Sequence, residues 1–102
     1  MTISDHEYQE RILITLNNNL INFPDGSYRY TDSYNLNDLH GTMQSRNCGM
    51  DKSKLRDLLE KIYERKLIDK KEGKEQNKRN SKGEYKINEE GRNLIRQKIN
   101  LN

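Results

Sequence analysis

The stretch from Asp51 to Gly91 constrains the fold of this chain more than any other. Asp51 offers a side-chain oxygen to the free backbone N–H groups of a helix start. Leu55, Leu58, Leu59 and Ile62 recur at helical spacing, which predicts one apolar stripe on a helix over about 51–65. Leu67 and Ile68 follow the charged pair Arg65-Lys66 and lead into Asp69-Lys70-Lys71. A long polar segment comes next, with Gly73 and Gly83 near its ends. Tyr85 and Ile87 then alternate with polar neighbours, as in a half-buried strand. Asn88 is placed to cap a last helix over about 89–100, with Gly91 in its first turn.

The order helix, strand, charged loop, strand, helix resembles the winged-helix DNA-binding fold. It is most similar to small bacterial and archaeal regulators of the PadR and MarR kind. Two runs carry the resemblance: Leu58-Leu59-Glu60-Lys61-Ile62-Tyr63-Glu64-Arg65-Lys66-Leu67-Ile68-Asp69, and Tyr85-Lys86-Ile87-Asn88-Glu89-Glu90-Gly91-Arg92. In those families the first run ends the recognition helix and enters the wing, and the second leaves the wing for the C-terminal helix. A length of 102 residues makes one domain over 1–102, and the resemblance implies that it is mainly α with a small antiparallel β-hairpin, an α+β winged helix-turn-helix. It also implies a homodimer built through the first and last helices.

The first half follows that pattern by order of elements. Ser4 or Asp5 can cap a first helix over about 5–20, with Ile12, Leu16 and Leu20 on one stripe, extended by Tyr8 and Phe23 if the helix persists. Ile14 points nearly opposite, and a helix apolar on two sides must bury both. The second side can meet the C-terminal helix or a second subunit. Pro24-Asp25-Gly26 is a turn signal. Tyr28 and Tyr30 alternate with polar residues in a short strand over about 27–31, expected to pair with the wing. Asn35 or Asn37 can cap a helix over about 36–44, with Leu36, Leu39 and Met43 on one face. That helix and the one after Asp51 form a helix-turn-helix candidate.

Charge is divided unevenly. Residues 1–51 hold 3 Lys/Arg and 7 Asp/Glu, a net of −4, and residues 52–102 hold 16 and 9, a net of +7. A basic half points to a polyanionic partner, which the winged-helix resemblance implies to be double-stranded DNA, although charge of this kind also simply solvates a surface. With the apolar stripe of the third helix taken as the core side, Ser53 and Asp57 lie opposite, Lys54 and Arg56 flank them, and Lys52 sits in the first turn. Arg and Lys in a major groove donate to guanine O6 and N7, Ser pairs with several base edges, and Asp accepts from a cytosine amino group. Asp57, Glu60 and Glu64 also face outward and repel phosphates, so the first two turns are the expected reading surface. In the wing, Lys70, Lys71, Lys74, Lys78, Arg79 and Lys82 stand against Glu72 and Glu75. That hairpin suits sequence-independent phosphate contact, with Arg79 able to reach a minor groove. The acidic first half and the carboxylates of the third helix suit instead a protein-interaction module on the same fold, an adaptor or inhibitor, because fold does not decide function.

Other classes find little in the chain. It has neither a Walker-type phosphate loop nor a dinucleotide fingerprint. Cys48, His6 and His40 do not stand at zinc-ligand spacing, so no metal, cofactor or catalytic residue is expected. His40 reads as a surface or capping residue, and Cys48 as a small turn residue without a second cysteine to resolve an oxidised form. Tyr28, Tyr30 and Tyr34 would serve as base-stacking platforms for RNA only if exposed on one surface. No apolar run approaches the roughly 20 residues that span a bilayer. Met1 to Glu10 is polar, unlike a signal peptide, and a lone cysteine suits a reducing cytoplasm.

Overall fold

A computed structural model describes residues 4–45, 50–71 and 83–100. Helix α3 (Lys52–Glu64) begins where the Asp51 carboxylate accepts the Lys54 N–H at 2.8 Å. Leu55, Leu58, Leu59 and Ile62 are buried along one side, as their spacing predicts. The helix is stopped by Lys66, whose left-handed φ of 62° turns the chain so that Leu67 and Ile68 enter the core. Strands β4 (Ile68–Lys71) and β5 (Glu84–Ile87) then pair antiparallel, Ile68 opposite Ile87 and Lys71 opposite Glu84. Tyr85 and Ile87 are buried and Glu84 and Lys86 exposed, the alternation of a sheet with one covered face.

Helix α4 (Glu89–Asn100) is locked onto the α3–β4 corner by Asn88. The Asn88 side-chain oxygen accepts the Gly91 N–H at 2.9 Å, its amide donates to the Lys66 carbonyl at 2.9 Å, and its backbone N–H reaches the Leu67 carbonyl at 3.2 Å. The two sequence runs are therefore joined in space by one side chain.

Helix α1 (Asp5–Asn18) is capped by Ser4, whose hydroxyl accepts the Glu7 N–H at 3.2 Å, and it packs on α3, α4 and α2 (Leu36–Ser45). Ile12, Leu13 and Leu16 fill the core. The helix ends two residues earlier than its apolar spacing predicts, because Asn19 takes a left-handed φ of 56°. Leu20 and Ile21 therefore leave the helix for strand β1 (Leu20–Asn22), and Phe23 packs on the core from the loop beyond it. Ile14 is 44% exposed, so the second apolar side of α1 is not covered within the described chain.

Pro24-Asp25-Gly26 closes a hairpin between β1 and β2 (Tyr28–Tyr30), with Leu20 opposite Tyr30 and Asn22 opposite Tyr28. Pro24 presets its own φ, Gly26 supplies a φ of 92°, and the Asp25 carboxylate accepts both the Ser27 hydroxyl at 2.6 Å and the Ser27 N–H at 2.9 Å. Those hydrogen bonds hold the exposed Asp25 carboxyl below its ordinary value of 3.8. This local closure overturns one expectation: the strand around 27–31 pairs with β1 and not with the wing. Its expected place is taken by β3 (Tyr34–Asn35), which lies along the free edge of β5 in the order β3-β5-β4. Asn35 then caps α2, its side-chain oxygen accepting the Asp38 N–H at 2.7 Å. The described chain is thus a small α+β protein with four helices and two small antiparallel sheets, where the sequence predicts one sheet.

Candidate nucleic-acid interface

Because the leucine stripe turns inward, Lys52, Ser53, Lys54, Arg56 and Asp57 are all exposed on the first two turns of α3. Their environments differ. The Lys54 ammonium lies 3.0 Å from the Asp5 carboxylate and 5.3 Å from the centre of the Tyr8 ring, so the start of α1 flanks the start of α3. The hydrogen bond from Lys54, then its charge, holds the Asp5 carboxyl below 3.8, and the same contact raises Lys54 above 10.5. Among the described residues, Lys52 and Arg56 make no ion pair.

The sign of the Asp5 linkage follows directly. A depressed folded value stabilises the chain above 3.8 and loses that stabilisation as pH falls through the depressed value. An NMR titration of Asp5 should therefore give a midpoint below 3.8, and Lys54→Met should return it toward 3.8. An unmoved midpoint in that variant would assign the shift to something other than Lys54.

On the β4–β5 hairpin, the Lys70 ammonium is 3.1 Å from Glu60 of α3. Lys71 stands opposite Glu84, which accepts the Ser33 hydroxyl, and Asp69 stands opposite Lys86. The strands of the hairpin thus alternate in sign, and opposite charges directly across two strands attract. Lys74, Lys78, Arg79 and Lys82, the tip of the expected wing, lie outside the described residues, as does Cys48. Asp5 and Glu60 are the partners of Lys54 and Lys70 that the sequence alone does not indicate. Both act across elements, where periodicity carries no signal.

The aromatic set divides. Tyr28 and Tyr30 are 61% and 74% exposed, their rings edge to face with centroids 5.8 Å apart. Tyr34 is fully buried, so the three-ring RNA surface does not exist. Its hydroxyl is consumed in the core, accepting the Leu20 N–H at 2.6 Å and lying 3.0 and 2.9 Å from the Thr15 and Leu20 carbonyls. His40 Nε2 lies 3.0 Å from the Met50 carbonyl, tying α2 to the residue before the α3 cap. Among the described residues no cluster of three His, Cys, Asp or Glu is arranged for a metal, and no described helix is long and apolar enough to cross a membrane. Comparison with protein families, with characterised proteins and with solved structures yields no match.

Proposed function

We propose that the chain is a winged-helix transcriptional regulator that binds double-stranded DNA. The first two turns of α3 enter the major groove, and the β4–β5 hairpin lies along the phosphate backbone. The observation that carries this reading is the exposed set Lys52, Ser53, Lys54 and Arg56 on the first two turns of α3, clear of the buried leucine stripe. Arg56 and Lys52 donate to base edges or phosphates as they stand. Lys54 must exchange Asp5 for a DNA acceptor. Because that pair is solvent-exposed, the exchange costs little.

The deciding experiment is fluorescence anisotropy with a labelled duplex from the upstream region of the chain's own gene, across salt concentrations, with an unrelated duplex as control. The upstream duplex should bind preferentially, and the salt slope should report about 0.9 per neutralised phosphate. Lys54→Ala with Arg56→Ala should weaken binding by roughly 10- to 100-fold and flatten the sequence preference, since a good base contact contributes about 1–3 kcal/mol. Unchanged affinity and preference would remove α3 as the reading helix. Asp5→Asn should tighten binding by a few-fold, because it frees Lys54 and removes a carboxylate beside the backbone.

A protein-interaction module is the second reading. It is favoured by the pairing of Lys54 with Asp5, of Lys70 with Glu60, and by Glu84 opposite Lys71. Absence of binding to either duplex near physiological salt would select it.

A further inference from the structure

The β1–β2 hairpin has one covered edge and one open edge. The Phe23 N–H bonds to the Ser27 carbonyl at 2.9 Å and the Thr31 N–H to the Asn19 carbonyl at 3.0 Å, which marks 23/27 and 19/31 as hydrogen-bonded pairs. Bonded pairs alternate along an antiparallel ladder, so Ile21 and Arg29 form the next one. The polar groups of Leu20 and Asn22 must then point away from β2, and their N–H groups do so, one to the Tyr34 hydroxyl and the other to the Thr42 hydroxyl. By the same parity, the N–H and C=O groups of Tyr28 and Tyr30 point away from β1. Among the described residues nothing bonds to them.

An open edge invites another strand, and the sequence of this one is close to a palindrome: Ser27-Tyr28-Arg29-Tyr30-Thr31. We infer that β2 pairs antiparallel with β2 of a second copy of this chain about a two-fold axis at Arg29, giving a four-stranded sheet across the dimer. A two-fold interface requires that residue i meet j and j meet i. Centring on Arg29 places Tyr28 opposite the partner's Tyr30 and Ser27 opposite the partner's Thr31. It also makes both tyrosine pairs hydrogen-bonded, because only their backbone groups face outward. The exposed rings then form a four-tyrosine cluster on one face. On the other face Arg29 meets its own copy, a repulsive pair. Asp38, 3.8 Å from Arg29 in each copy, brings that group to zero net charge. This surface is distinct from the helical one implied by the winged-helix resemblance and does not depend on DNA.

Sedimentation equilibrium of the full chain, without nucleic acid, should show a reversible monomer–dimer exchange. Tyr30→Val keeps the outward N–H, whereas Tyr30→Pro deletes it at a position where a strand tolerates proline. Tyr30→Pro should weaken the dimer by about tenfold or more relative to Tyr30→Val, since two hydrogen bonds are lost per dimer. Arg29→Cys in a Cys48→Ser background should close a disulfide between copies on oxidation. A non-hydrogen-bonded pair has Cα atoms about 4.5 Å apart, within disulfide reach. This second variant decides the matter where Tyr30→Pro does not fold. A chain that stays monomeric, a folded Tyr30→Pro that dimerises like Tyr30→Val, or an Arg29→Cys variant that does not crosslink overturns the inference.

Discussion

Tyr34→Phe should lose about 1–3 kcal/mol of stability, although it removes one oxygen and leaves the ring in place. The phenol is fully buried, and its hydroxyl closes two unrelated ends of backbone. It accepts the Leu20 N–H, which points away from β2 and has no strand to receive it. It also lies within bonding distance of the Thr15 carbonyl, one of the last carbonyls of α1, which the helix itself leaves without a donor. Deleting the oxygen strands these groups in the core and costs their desolvation, whereas the apolar contacts of the ring survive. For a domain of roughly this size each kcal/mol shifts Tm by about 4–8 °C. Urea titration should show a lower midpoint at an unchanged slope, because the same surface is exposed on unfolding. A midpoint equal to that of the unaltered chain would mean that the hydroxyl does not serve these groups. Tyr34→Ala should cost about 3–5 kcal/mol, as it also removes the ring from the core.

The same hydroxyl explains where the sequence could not be read. From Asp51 to Gly91 the signals are local: a cap three residues from its N–H, a stripe at helical spacing, an alternating strand. All of these are found where spacing places them. Around Leu20 the local signal misleads. Ile12, Leu16 and Leu20 share one helical stripe, yet Leu20 is on a strand. The run Asn17-Asn18-Asn19 disfavours helix, and Asn adopts a left-handed φ at small cost. What makes the early ending stable is a hydroxyl at Tyr34, brought from beyond a hairpin, and no window along the chain contains that information. The candidate interface divides in the same way. The exposure of Lys52, Ser53, Lys54 and Arg56 follows from the leucine stripe and was legible. The ion pairs of Lys54 with Asp5 and of Lys70 with Glu60 join separate elements and were not.

Two glycine-to-alanine substitutions in helices should move stability in opposite directions. At an exposed helix interior, alanine in place of glycine gains about 0.5–1 kcal/mol from reduced backbone entropy. Gly41 of α2 is such a position: a Cβ built there meets nothing within 4 Å, and Gly41→Ala should raise Tm by a few degrees. Gly91 has the same propensity gain available and a larger opposing cost. A Cβ there would stand 2.4 Å from the Leu67 carbonyl oxygen and 2.7 Å from Cγ1 of Ile87. The first is backbone and cannot rotate away. It also receives the Asn88 N–H, while the neighbouring Lys66 carbonyl receives the Asn88 side chain. Moving α4 outward to admit the methyl group stretches those bonds together with the cap on the Gly91 N–H. Overpacking of this kind costs about 1–3 kcal/mol before the strained Asn88 bonds are counted. The net effect should therefore be a loss of at least about 1–2 kcal/mol, read as a lower urea midpoint. Asn88→Ala should show a related loss by deleting the same cap and tie, and combining it with Gly91→Ala should give less than the sum of the two, because both act on one junction. If Gly91→Ala instead stabilised the chain as Gly41→Ala does, α4 would not be seated on the α3–β4 corner, and the close approach of these two elements would be wrong.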